Sequence, residues 1–132
     1  MLAAVVIAAG AGAAGAATEE SVRRCAARMD LALKPEGAEG PDGRGRLGVK
    51  VPGGRYAGFV EFPSGHVVDV YVARSARAAR RAARGYERFL RAFGVGDEAR
   101  RYVRRAGTIV LGRADGDLFA TERELARMAR CG

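Results

Sequence analysis

The chain has few of the side chains on which most enzyme chemistry depends. Its 132 residues include one histidine, His66, two cysteines, and only three serines, Ser21, Ser64 and Ser75. A lone histidine that closes the turn-forming run Pro63-Ser64-Gly65-His66 reads as surface decoration rather than as a general base. Ser21 and Ser75 stand where helix caps belong. Ser64 and His66 are close in sequence, but only Glu61 and Asp69 lie near enough along the chain to orient such a pair. A small hydrolase using His66 therefore ranks last among the functional readings. The acidic pairs Asp97-Glu98 and Glu122-Glu124 fall at helix starts, where the backbone dipole already accounts for them. There is no C-x-x-C pair and no second set of metal ligands, so thioredoxin-like and zinc chemistry lack support. Asp115-Gly116-Asp117 lacks the spacing and closing glutamate of a calcium loop and reads as a surface turn. No catalytic residue, metal site or cofactor is expected.

Lysine is almost absent as well. Lys34 and Lys50 are the only two, so arginine supplies nearly all of the 23 basic side chains. Together with abundant alanine and glycine, this matches the residue usage of a GC-rich genome. Such usage explains arginine in place of lysine, but not the net charge of +8. That excess favours anionic partners: nucleic acid, acidic lipid or a cell-wall polymer. The length suits one domain and is too short for two full cores.

Long apolar runs are missing except at the amino terminus. Residues 1–17 carry no charged side chain. Residues 1–17 suit a secretory signal, with Leu2 to Ala9 as its apolar region and either Ala14-Gly15-Ala16 or Gly15-Ala16-Ala17 for small-residue cleavage, and Thr18-Glu19-Glu20 is expected to open the mature chain. A basic start to that signal is lacking. A short membrane anchor and a plain tail compete with this reading, and the run falls short of the ~20 apolar residues a span needs. Gly10-Ala11-Gly12-Ala13-Ala14-Gly15 also matches G-x-G-x-x-G after a strand-like run. The second parallel strand ending in an acid that dinucleotide binding requires does not follow. Export is the favoured reading. It agrees with the cysteines: Cys25 and Cys131, an even pair at opposite ends, read as one disulfide, the alternative being two unpaired buried thiols.

The remaining pattern is that of an α+β domain. Thr18 to Leu33 is expected as a helix with Val22, Cys25, Ala26, Met29 and Leu33 inward. Residues 35–48 carry glycine, proline and charge, and are expected as a flexible loop; Leu47 to Val51 is a candidate short strand. Gly58 to Phe62 and Val67 to Val72 form a hairpin, with Asp69 marking the wetter face. Ser75 to Gly94 bounds the strongest helix, whose inward stripe is Ala76, Ala79, Ala83, Tyr86, Leu90 and Phe93. Tyr102-Val103 and Thr108 to Leu111 make a second hairpin, unless Asp97 to Arg105 is a short helix. Thr121 and Glu124 form a capping box on a last helix bearing Leu125, Met128 and Ala129 inward. The predicted order is αββαββα, a two-layer sandwich with a small, mostly antiparallel sheet.

The run Arg23-Arg24-Cys25, the strand Val68-Asp69-Val70-Tyr71-Val72, the strand Gly107 to Gly112, and the closing Arg130-Cys131 carry a resemblance. Residues 18–132 resemble small secreted or envelope proteins of high-GC actinobacteria that have no assigned activity. That resemblance implies an extracytoplasmic compartment and paired end cysteines, and no catalytic residues. The element order is loosely similar to ferredoxin-like domains such as peptidoglycan-binding modules. The expected function is an exported, non-enzymatic binding or structural module. Its basic helix, through Arg77, Arg80, Arg81, Arg84 and Arg88, meets an anionic envelope polymer or lipid surface. A cytosolic nucleic-acid-binding domain is the alternative.

Overall fold

Thr18 opens the first helix of the computed structural model, which describes residues 15–113 and 119–132. Most of the expected leader and the Asp115-Gly116-Asp117 turn lie outside the described residues. Helix α1 is Glu19–Arg28, with Thr18 and Ser21 capping each other reciprocally. It stops short of Leu33, correcting the longer helix expected. Asp30 takes a left-handed φ of 60°, which its short polar side chain tolerates, and the chain turns into β1, Leu33–Lys34.

The hairpin follows as β2, Arg55–Glu61, and β3, Val67–Val72. Helix α2, Ala76–Ala92, is capped by Ser75 and released at Gly94, φ 87°. A 3-10 helix, Gly96–Tyr102, leads into β4, Val103–Ala106, and β5, Ile109–Gly112. Both options for that region are thus realised, helix first and strand after. Helix α3, Glu122–Ala129, carries the Thr121–Glu124 capping box. The strands form one sheet in the order β1-β2-β3-β5-β4, antiparallel at every pairing. The α+β sandwich on an antiparallel sheet is as the pattern predicts.

The sheet buries both faces. On the first, Val68, Val70, Val72, Ile109 and Leu111 meet Val22 and Ala26 of α1 and Leu125 and Met128 of α3. On the second, Tyr71 and Val110 meet Ala79, Ala82, Tyr86 and Leu90 of α2. Cys25 and Cys131 join α1 to the end of α3 in a disulfide, with Cα atoms 5.6 Å apart and a sequence separation of 106. The inward stripe of α2 runs through Ala82 rather than Ala83. Phe93, beyond the helix end, is 74% exposed.

Residues 47–51 form no strand. The Val49 amide donates instead to the Tyr71 hydroxyl at 2.9 Å. The preceding segment, expected as a flexible loop at 35–48, is an internally hydrogen-bonded hairpin. Gly37 N–H donates to the Arg46 carbonyl, Arg46 N–H to Ala38, and Gly40 N–H to Arg44. Its Arg46 reaches across the second face to Asp69 at 2.7 Å. Asp69 is buried rather than on a wet face, and it also accepts from the Tyr56 hydroxyl at 2.7 Å. The Arg46 guanidinium caps the fully buried Phe59 ring at 5.6 Å. This hairpin covers the part of the second face that α2 leaves uncovered.

A bulge at Ala57–Gly58 lets Tyr56 and Phe59 share that face, which an unbroken alternation would forbid. Gly58 has φ 133°, and a side chain there would collide with the Lys34 carbonyl of β1.

Candidate anion-binding face

Ser75 and Gly94 set the limits of α2, and between them the apolar residues need only one side. At about 100° per residue, Arg77, Arg80, Arg81, Arg84, Arg88 and Arg91 fall within an arc of roughly 100°. The buried Ala79, Ala82, Tyr86 and Leu90 lie on the opposite side. All six arginines are exposed. The fold therefore brings the five expected contact residues together on one stripe and adds Arg91.

Among the described residues none of these arginines has an acidic partner, as is also true of Arg28 in α1 and of Arg123 and Arg127 in α3, but only on α2 do six such side chains share one stripe. In α1, Arg23 pairs with Glu19 at 3.1 Å and with Glu20 at 2.9 Å, while Arg24 lies 3.9 Å from Glu20. Arg101 approaches Glu98, and Arg113 pairs with Glu122. Among the described residues, no carboxylate lies within ion-pair distance of any of the six on α2. By helical spacing they are mostly each other's neighbours, the one acid of the helix, Glu87, lying three residues from Arg84 and four from Arg91. Arg77–Arg81, Arg80–Arg84 and Arg84–Arg88 are four apart, while Arg77–Arg80, Arg81–Arg84 and Arg88–Arg91 are three apart. Each such pair opposes the helix by about 0.2–0.5 kcal/mol.

Two concavities border the stripe. Arg81, Arg84 and Arg88 line one with Pro52. A larger one, about 760 Å³, is lined by Arg55, Arg74 and Arg81 together with backbone around Gly53, Gly54 and Ala73 and with Ala16, Ala17 and Thr18. No carboxylate lines it; Glu19, beside Thr18 in sequence, pairs with Arg55 at 3.4 Å. Arg55 and Arg74 were not singled out from the sequence, because neither belongs to the helical period and only strand packing brings them beside Arg81. Gly85 allows the close approach beneath this edge: a Cβ there would meet Pro52 Cδ at 2.7 Å.

On the far side of the sheet, Ser64 and His66 do find a carboxylate, but it is neither Glu61 nor Asp69. Glu61 pairs with Lys34 and Asp69 with Arg46. Glu124 of α3 accepts from Ser64 Oγ at 2.5 Å, pairs with His66 Nδ1 at 2.8 Å, and accepts from its own cap amide, Thr121 N, at 2.8 Å. In a catalytic triad the imidazole stands between nucleophile and acid. Here the carboxylate stands in the middle, and the serine proton points at it. The cluster fastens the β2–β3 turn to the start of α3. Glu124 was legible only as a capping residue, since its other partners lie about 60 residues away. Burial acts to raise its pKa, but the bonds from Ser64, Thr121 and His66 outweigh it and hold the carboxyl below its usual range.

Among the described residues no three histidine, cysteine or acidic side chains are grouped to hold a metal, and no helix is long and apolar enough to cross a membrane. No protein-family model, curated protein or solved structure matches this chain.

Proposed function

We propose that the protein is an exported, disulfide-stapled binding module, not an enzyme, whose α2 arginine face engages an anionic component of the cell envelope. The observation that carries this reading is the stripe of six exposed arginines with no carboxylate partner among the described residues. An anionic polymer or lipid surface would relieve their mutual repulsion and supply the missing counter-charge. The disulfide supports an extracytoplasmic compartment, because such bonds persist where the environment is oxidising and are rare in the cytosol. The resemblance to small actinobacterial envelope proteins points to the same compartment, and an amino-terminal secretory signal supplies the route.

The test is co-sedimentation with phosphatidylglycerol vesicles and with an anionic cell-wall polymer, each across a salt series. Neutral phosphatidylcholine vesicles serve as the control. Association that weakens as salt rises, and that is lost in the triple variant R80E/R84E/R88E, is the expected result. Salt-independent binding, or none to either anionic surface, would refute it. Tighter binding to DNA or RNA than to both would favour the cytosolic alternative, against which the disulfide weighs.

A further inference from the structure

We infer that the leader is removed at the Ala16–Ala17 bond, so that the mature chain begins at Ala17, one residue before the Thr18 start expected from the sequence. This rests on the export reading above. Two neighbouring bonds satisfy the small-residue rule equally well, one after Ala14-Gly15-Ala16 and one after Gly15-Ala16-Ala17. The fold separates them.

Ala17 N–H donates to Thr108 Oγ1 at 2.7 Å, across 91 residues of sequence. Thr108 is only 7% exposed, at the turn between β4 and β5. Ala17 is half-buried and packs against the core of the first face, whereas Gly15 and Ala16 are exposed. Ala17 is therefore bonded to and packed on the folded domain, whereas the exposed Ala16 contributes only to the lining of the cavity beside Arg55, Arg74 and Arg81.

Cleavage one bond later would remove the amide that satisfies a buried hydroxyl. It would also place an α-ammonium on Thr18, the N-cap of α1. There the Thr18 N–H already donates to Ser21 Oγ at 2.8 Å, and the positive end of the helix disfavours an added positive charge. Cleavage at Ala16–Ala17 preserves both bonds and moves the new charge one residue away from the cap. In that step one water is consumed and the C–N bond breaks. Ala16 leaves with the carboxylate, and Ala17 keeps the nitrogen as an ammonium that can still donate to Thr108. The catalyst is an export-associated endopeptidase of the class that reads small residues one and three places before the cut. The cut takes Ala16 from the lining of the cavity shared with Arg55, Arg74 and Arg81 and leaves the new ammonium on Ala17 in that lining. Processing thus adds a cationic group to the basic face.

The experiment is to express the full chain in an exporting host and read the product by intact mass and amino-terminal sequencing. The variants Ala16→Leu and Ala17→Leu are run beside it. We expect a product starting at Ala17. Ala16→Leu, which alters the residue immediately before the cut, should block or displace cleavage. Ala17→Leu should leave the cut in place. A wild-type product starting at Thr18, blocked by Ala17→Leu and indifferent to Ala16→Leu, would overturn the inference and leave export standing. An uncleaved wild-type chain would overturn both.

Discussion

Glu124 and Asp69 show how much one carboxylate can organise. Glu124 joins a hairpin turn to a helix start through Ser64, His66 and Thr121. Its pKa is lowered in the folded state, so the stability it contributes is present above the unfolded value of about 4.3 and is lost as pH falls through the folded one. Glu124→Gln should lower stability at neutral pH by about 1–2 kcal/mol and flatten the acid limb of a melting-temperature profile. Asp69 is more critical. Asp69→Ala deprives a mostly buried Arg46 of its carboxylate, for an expected loss of about 3–5 kcal/mol in urea titration. Burial first, and then the Asp69 charge, push the hydroxyls of Tyr56 and Tyr71 well above the usual tyrosine range. The folded state thus resists their ionisation while the unfolded chain does not, and stability should fall as pH rises past about 10. The double variant Tyr56→Phe/Tyr71→Phe should blunt that alkaline loss.

At the scale of elements, the strands and helices were legible where periodicity and caps coincide: Val67–Val72, the Ser75 cap, the Thr121–Glu124 box. The second-face cover was not. Residues 35–48 are nearly devoid of apolar side chains, so nothing local marks them as part of a core. Their order comes from Arg46 meeting an aspartate 23 residues away, a pairing no local pattern encodes. The same long-range dependence hid Arg55 and Arg74 from the reading of the basic face. Gly58 carries a testable burden: Gly58→Ala must adopt a left-handed backbone and meet the Lys34 carbonyl, and should lose about 2 kcal/mol or more. Helix α2 gives a prediction of the opposite sign. Arg84 has three like-charged neighbours, Arg80, Arg81 and Arg88, against one acid, Glu87, so Arg84→Gln should raise thermal stability by a few tenths of a kcal/mol while weakening association with anionic vesicles. A stabilising change that harms binding would mark these arginines as retained for contact rather than for folding.

For the whole molecule, the two cysteines were readable as a pair, and the disulfide is present. Removing it with Cys25→Ser/Cys131→Ser should cost about 4–5 kcal/mol by chain entropy alone, and calorimetry of the oxidised chain against the double variant measures it. The bridge has a further, mechanical consequence. Everything between residues 25 and 131 lies within one covalent loop, which includes the whole sheet and the arginine stripe. Tension applied outside those two residues would run through the sulfur–sulfur bond and leave the hydrogen-bonded strands unloaded. A domain tethered at one end and gripped along its basic face would be pulled differently, because α2 lies inside the loop. Force entering there would bear on the packing of Tyr86 and Leu90 against the sheet, making that contact the mechanical fuse of the fold.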